Sequence, residues 1–259
     1  MQRDFTLSLY ADLLQAFQGA GYHFLSMRDL IRSPAHGEPY IVLRHDVDLR
    51  PAHALEMARL EEIRSICATY YVRAVKATFR PDILREIESL GHEVGYHYED
   101  LSSCQGDVDR AWESFLRNLE RFREVVTVDT ACMHGSPLSR FDNRALWEQH
   151  DFQEAGILGE PYFSLDYNKV AYLTDTGRRW DGDRYNIRDR TTSGSRSDFH
   201  GTRDIIRAIE EDRFPRAAVL NTHPQRWTDA VVPWTVELLS QHVKNLLKSL
   251  LLQPRWNSR

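Results

Sequence analysis

The stretch that most constrains the fold is residues 41–48, where the apolar run Ile-Val-Leu leads directly into Arg-His-Asp-Val-Asp. A continuous apolar run is typical of a strand that is covered on both faces, as in a parallel sheet. Because successive side chains of a strand point to opposite faces, Asp46 and Asp48 would lie on the same side. Two carboxylates at one strand end indicate either a turn with a helix cap or an active site, and this segment alone does not decide between them.

Composition bounds the class of protein. The chain has 259 residues, of which 42% are hydrophobic, and no Gly/Ser-rich or Pro-rich linker divides it. We therefore predict a single domain over residues 1–259, with residues 1–40 as an N-terminal helical extension packed on it. A formal charge of −5 offers no electrostatic footprint for nucleic acid. The N-terminus has no signal-peptide pattern, no apolar run is long enough for a transmembrane segment, and the three cysteines form no disulfide or metal pattern, so we expect a cytoplasmic protein.

Segments with strand and helix patterns alternate along the chain. Strands are predicted at 22–25, 41–48, 66–72, 92–96, 125–133, 161–165, 170–173 and 217–220, and helices at 5–18, 52–63, 81–90, 108–122, 143–149, 202–209 and 233–252. This alternation predicts an α/β fold with a parallel sheet, closed or partly closed into a barrel. The polar segment 174–200 predicts an ordered loop at the site or a mobile lid. The dense leucines of the final helix indicate packing in the core or in a homo-oligomer.

Polar residues of catalytic type follow five of the predicted strands. They are Asp46 with Asp48, His97 with Glu99, His134, Asp175 and His223. Each alone could be a cap or a surface residue, but the C-terminal ends of parallel strands share one mouth, so five together indicate a site. Carboxylates and imidazoles there could bind a divalent ion of zinc type, while a second carboxylate deprotonates water and a histidine protonates the leaving group. The pattern predicts metal-assisted hydrolysis.

Four segments also occur in the order and spacing of a known family. They are RHDVD at 44–48, GHEVGYH at 91–97, HGSP at 134–137 and HP at 223–224. Over residues 41–227 the chain resembles the polysaccharide deacetylase superfamily, also called the NodB-homology or carbohydrate esterase family 4 group. The likeness is closest to the divergent WbmS-like proteins of O-antigen clusters. It implies a distorted (β/α)7 barrel, a carbohydrate substrate from surface-polysaccharide synthesis, and hydrolysis of an N- or O-acyl group on that sugar.

The resemblance also implies roles for individual residues. Asp46 corresponds to the general base of the family and His223 to the general acid, whereas Asp48 and His97 correspond to metal ligands. The family usually has two adjacent aspartates, and here Val47 separates them. The base and ligand roles of the two aspartates could therefore be exchanged.

A second departure concerns the metal shell. Leu101 stands where the family usually has a second histidine, so His134, and after it Glu99, are the candidates to complete the shell. By the same resemblance Arg179 would steady the base and Trp227 would shape the sugar pocket. The residues given supporting or substrate-binding roles are Glu99, Asp175, Arg179 and Trp227. Two alternatives stay open: a metal-independent amide hydrolase, and a catalytically inactive sugar-binding protein on the same fold.

Overall fold

A computed structural model describes residues 3–33, 37–136, 139–181 and 199–251 of the chain. Parts of the predicted segments lie outside the described residues: residues 1–2 and 34–36 of the N-terminal extension, Pro137 of the HGSP segment, residues 182–198 of the polar segment, and Leu252 at the end of the final helix.

Within the described residues, seven parallel strands form a single sheet. They are β1 (His23–Leu25), β2 (Tyr40–Val47), β3 (Thr69–Val72), β4 (Glu93–Tyr98), β5 (Ala131–Met133), β6 (Ala171–Thr174) and β7 (Ala217–Thr222). The strand order is β5-β4-β3-β2-β7-β6, and β1 pairs with the first residues of β2. The sheet curls into a half-barrel, and within the described ranges no strand pairing joins β5 to β6 to close it. The predicted single-domain α/β fold with a distorted barrel is confirmed.

Helices connect the strands. They are α1 (Leu7–Gly19), α2 (Met27–Arg32), α3 (Pro51–Glu62), α4 (Pro81–Ser89), α5 (Asp100–Ser103), α6 (Val108–Arg123), α7 (Pro161–Ser164), α8 (Thr202–Glu210) and α9 (Val231–Leu251). Local sequence explains several starts: Thr6 and Asp107 cap α1 and α6 with their side chains, and proline occupies the first position of α3 and α4. No helix in the described part of the chain is long and apolar enough to cross a membrane.

The structure corrects three predicted segments. Residues 161–165 were predicted as extended, but α7 forms there because Glu160 accepts a hydrogen bond from the Tyr162 N–H and Pro161 favours the first helical position. Of the predicted strand 125–133, only β5 pairs with the sheet, and residues 143–149 form a 3-10 helix over Asn143–Glu148. The strand predicted at residues 22–25 is present as β1, which pairs with β2, and the packing of residues 1–40 as an N-terminal extension stays a prediction.

Helix α9 leaves apolar residues on the surface. Val232, Val236, Leu239, Val243 and Leu246 are all more than half exposed. The homo-oligomer through this helix stays a prediction.

Side chains alternate across the sheet and divide the core into two layers. Ile41 and Leu43 of β2 pack with the helices in the larger hydrophobic cluster. Val42 lies in the smaller cluster, together with Tyr71 of β3 and Val219 of β7. Because the side-chain period of a strand is two, the even-numbered residues of β2 face the concave interior of the half-barrel. Arg44 and Asp46, the next even-numbered residues of this strand, therefore face the same interior.

A buried carboxylate ties α3 to the sheet and to α1. Glu61 is fully buried and accepts hydrogen bonds from the Tyr10 hydroxyl (2.6 Å) and the Tyr70 hydroxyl (2.7 Å). Its Oε1 also lies 2.9 Å from His45 Nε2. Burial opposes ionisation, but His45 and these hydrogen bonds outweigh it and hold the pKa of Glu61 below its ordinary value. Each oxygen of this buried carboxylate therefore accepts a hydrogen bond from a tyrosine hydroxyl.

Replacing Glu61 with Gln should destabilise the fold by about 1–3 kcal/mol, because one of the two oxygens that accept from the tyrosine hydroxyls becomes a donor and the negative charge beside His45 is lost. The measurement is the free energy of unfolding by urea. Glu62→Gln is the matched control, since Glu62 is the next residue of α3 and is exposed, and it should change stability by less than about 0.5 kcal/mol. Equal effects of the two substitutions would contradict a structural role for the Glu61 network.

Candidate active site

Five strand ends bring the polar residues together. Asp46 is in β2 and Asp48 follows it, His97 is in β4, His134 follows β5, Asp175 follows β6, and His223 follows β7. The sheet is entirely parallel, so these positions share its C-terminal edge. The side chains that the sequence suggested as partners therefore lie in one cluster.

Asp48 is at the centre of a group with the donor atoms of a metal site. Its Oδ1 lies 3.6 Å from His97 Nε2 and 3.4 Å from His134 Nε2. One ligand atom from each of these three residues lies within 4.8 Å of the others. Asp48 Oδ1 is buried and has no hydrogen-bond partner, which is costly for a carboxylate oxygen unless a cation or donor approaches it. The three residues therefore fit a divalent metal.

The far side of each imidazole is held so that Nε2 faces Asp48. His97 Nδ1 lies 2.9 Å from the Cys132 carbonyl oxygen and donates to it. Burial lowers the pKa of His97 to about 4, so its ring is neutral near pH 7 and Nε2 carries a lone pair. A neutral imidazole oriented by its other nitrogen is the form that binds metal ions.

His134 is oriented by a carboxylate. Its Nδ1 lies 2.9 Å from Glu99 Oε2, and Arg73 binds the other Glu99 oxygen through Nε (3.0 Å) and Nη2 (2.6 Å). Burial raises the pKa of Glu99, but the hydrogen bond from His134 and the charge of Arg73 outweigh it and lower the pKa to about 2. Glu99 thus supports His134, and its two oxygens are engaged by His134 and Arg73.

Asp46 is held by an arginine on its own strand. Arg44 donates from Nε to Oδ1 (2.9 Å) and from Nη2 to Oδ2 (2.7 Å), and Asn221 Nδ2 donates to Oδ2 (3.0 Å). Burial alone would raise the pKa of Asp46, yet the adjacent Arg44 charge holds that pKa well below its usual range. The carboxylate is ionised, and its Oδ2 lies 3.8 Å from His97 Nε2.

His223 and Asp175 form a dyad on the opposite side of Asp48. His223 Nδ1 lies 2.7 Å from Asp175 Oδ1, and its backbone N–H donates to Asp175 Oδ2 (3.0 Å). Trp227 Nε1 donates to the same Oδ2 (2.9 Å), and Arg226 contacts Oδ1. Burial opposes ionisation, but Arg226 and His223 lower the pKa of Asp175 to about 2. His223 Nε2 is left facing Asp48 Oδ2 at 3.8 Å.

Three positions of interest lie away from the cluster's centre. Leu101 is in α5 and packs in the hydrophobic core. The second imidazole beside Asp48 is that of His134. Trp227 is fully buried and donates a hydrogen bond to Asp175, so its ring does not form part of an exposed sugar pocket. Arg179 pairs with Asp181, with two N–O distances of 2.8 Å. The arginine that steadies Asp46 is Arg44.

The sequence interpretation assigned no role to four supporting residues. Arg44 lies two residues before Asp46, so the strand period that aligns the aspartates could have found it. Arg226 is one helical turn after His223 in the 3-10 helix Pro224–Arg226. Arg73 and Asn221 come from other strands or their ends, and only the three-dimensional register shows them beside the site.

Comparisons with known proteins give structural neighbours only. No family model matches the sequence, and the search of curated proteins finds no match. Solved structures that are similar include a CE4 esterase from Streptococcus mutans (15% identity, 90% of this chain and 91% of that chain, TM-score 0.47). A family 4 carbohydrate esterase from Bacillus anthracis is similar as well (14% identity, 92% of this chain and 86% of that chain, TM-score 0.42). So is PdaA, a family 4 carbohydrate esterase from Bacillus subtilis (13% identity, 88% of this chain and 83% of that chain, TM-score 0.40). These neighbours are family 4 carbohydrate esterases, and at this level of similarity they assign no activity to the chain.

Proposed function

We propose that the protein is a metal-dependent hydrolase that removes an acetyl-type acyl group from an amino sugar or a related carbohydrate. The observation that carries the proposal is the position of Asp48, whose unpartnered Oδ1 faces two oriented imidazoles while Asp46 and His223 flank it. A carboxylate ligand, a base and an acid in one cluster are the groups that amide or ester hydrolysis needs.

Asp48, His97 and His134 would hold the metal. Two imidazole nitrogens and one carboxylate oxygen suit zinc, and three protein ligands leave a position open for water or substrate. When bound, such an ion supplies polarisation of the acyl carbonyl and lowers the pKa of a bound water. The oxygens of Asp46 are engaged by Arg44 and Asn221, which supports Asp48 as the ligand and Asp46 as the base.

The remaining residues move protons. Asp46 is ionised and can accept a proton from the attacking water on the His97 side of the cluster. His223 lies on the other side, and its Nδ1–H donates to Asp175, which fixes the ring and directs Nε2 toward the reacting group. In its protonated form, Nε2 can donate to the departing amine or alcohol.

The narrower parts of the proposal rest on the sequence. The segments HDVD at 45–48, HGSP at 134–137 and HPQRW at 223–227, which carry the likeness to the WbmS-like proteins, support a substrate from surface-polysaccharide synthesis, such as an O-antigen precursor. The three cysteines are free thiols, which suits the reducing cytoplasm that we propose as the location.

Glu99→Gln should weaken metal binding about 10- to 100-fold, because His134 loses the charged acceptor that orients it. Zinc affinity measured by competition with a chromophoric chelator checks this. Glu86→Gln is the matched control, since Glu86 pairs with Arg59 on the exposed surface, and it should bind zinc like the wild type. Wild-type protein that binds no zinc would remove the metal from the proposal, and unchanged affinity in Glu99→Gln would remove His134 from the ligand set.

Asp46→Asn and His223→Gln should each lower kcat/KM for acetate release about 100- to 10,000-fold, because each removes a proton-transfer group. Acetate release from a panel of N- and O-acetylated amino sugars is the measurement, and zinc content should be retained in both variants. His23→Gln, at an exposed position of β1, is the control. Full activity after chelation would favour the metal-independent hydrolase, and sugar binding without turnover would favour the inactive binding protein.

A further inference from the structure

A second cavity lies outside the cluster around Asp48. It has a volume of about 620 Å3 and is bounded by α9, the turn after β6 and the start of α8. The side chains that face it include Phe5, Arg178, Trp234 and His242. None of its lining residues belongs to the candidate metal ligands, to Asp46 or to the His223–Asp175 dyad.

Arg178 is the unusual residue of this cavity. It is only 8% exposed, and its buried Nε has no hydrogen-bond partner. Its Nη1 has a long contact of 3.5 Å to the Arg226 carbonyl oxygen. No ion pair among the described residues includes Arg178, although the carboxylates of Glu237, Asp175 and Asp4 act on it from farther away. Burial lowers the pKa of Arg178, which is the direction expected for a cation with too little nearby negative charge.

The guanidinium of Arg178 is held in place by aromatic rings. Its central carbon lies 4.9 Å from the centroid of Trp234 and 5.1 Å from that of Phe5. Such stacking fixes the plane of the group and leaves its edge for hydrogen bonding. A buried guanidinium without a bound partner carries a large desolvation cost, and a planar fork matches a carboxylate or phosphate group.

The rest of the lining is compatible with an anion. Arg179, His200 and His242 add cationic or hydrogen-bonding groups, and two of these, Arg179 and His200, also contact Asp181. The side-chain amide of Gln241 donates to Asn245, and that of Asn245 donates to the Gly177 carbonyl oxygen. Asp4 is the carboxylate among the lining residues, and its oxygens accept hydrogen bonds from the backbone of Phe5 and from Thr202. Asp4 is therefore engaged at the rim by its neighbours.

We propose that this cavity is a binding site for an oxyanion, the phosphoryl or carboxylate group of a small molecule, held by the guanidinium of Arg178. The site is separate from the proposed hydrolytic centre and does not depend on hydrolysis. Bound anion would supply the negative charge that the buried arginine lacks and would stabilise the folded protein by mass action.

Thermal unfolding in sodium phosphate, sodium acetate and sodium chloride at matched ionic strength tests the proposal. The wild-type Tm should rise saturably with phosphate or acetate beyond its value in chloride. A response to phosphate alone assigns a phosphoryl group, a response to acetate alone assigns a carboxylate, and responses to both assign the shared oxyanion chemistry. Equal Tm values in the three salts would overturn the proposal.

Variants locate the site. Arg178→Gln should raise the half-saturating anion concentration at least about tenfold, which corresponds to about 1.4 kcal/mol, while Arg207→Gln at an exposed position of α8 should respond like the wild type. Asp48→Asn should keep the response, because the anion does not bind at the metal site.

In chloride alone, Arg178→Gln should be no less stable than the wild type, since it removes a buried charge without a partner. A lower Tm in every salt with the anion response intact would show a purely structural arginine.

A second variant covers the case in which Arg178→Gln does not fold. Leu238→Trp would fill the cavity from α9, and calorimetric titration with inorganic phosphate or acetate should then lose the saturable binding of the wild type. Wild-type affinity in this variant, or no saturable binding by the wild type, would exclude the cavity as the site.

Discussion

The side-chain alternation of β2 is the constraint on which both the core and the site depend. Leu43 and His45 point to the helices, where His45 meets the buried Glu61. Arg44 and Asp46 point to the concave interior and pair with each other there. A shift of one residue in this strand would send the arginine and the carboxylate into the apolar layer, so the hydrophobic residues that fix the register also fix the polar cluster.

Charge pairing separates the carboxylates of the site into two kinds. Asp46, Glu99 and Asp175 each contact an arginine, and each is thereby ionised and fixed. Asp48 differs: in the described part of the structure, its side-chain ion pairs are with three histidines, all at 3.4–3.8 Å. These separations exceed hydrogen-bond length and leave room between the donor atoms. Imidazole nitrogens at such distances from the Asp48 oxygens suit the ligand role that we propose for Asp48, whereas the oxygens of the other three carboxylates are engaged by arginines.

Much of the fold and the site could be predicted from the sequence, because both follow short-range patterns. The strand at 41–48, the alternation of strands and helices, and the polar residues at strand ends depend on periodicity and on the shared edge of a parallel sheet. The errors arise where contacts outside the local pattern determine the local structure. Residues 161–165 are aromatic enough for a strand, but the cap from Glu160 makes them helical. Burial of Trp227 against Phe5 depends on a contact between distant segments. Arg44, by contrast, lies two residues before Asp46 on the same strand, so the alternation of side chains could have identified it from the sequence.

Asp175 connects the candidate active site with the second cavity. Its oxygens are engaged by the His223 ring and backbone, by Trp227 and by Arg226. Arg178 follows it by three residues, yet its guanidinium contacts the Arg226 carbonyl oxygen instead of this carboxylate. The donors that fix Asp175 behind His223 thus occupy one of the two carboxylates that lie three residues from Arg178 in the sequence. The other, Asp181, is engaged by Arg179 and His200. The hydrogen bond from His223 to Asp175 therefore directs the imidazole toward Asp48 and also occupies a carboxylate that could have paired with Arg178. Because Arg178 is buried without an ion pair among the described residues, an external anion suits the cavity.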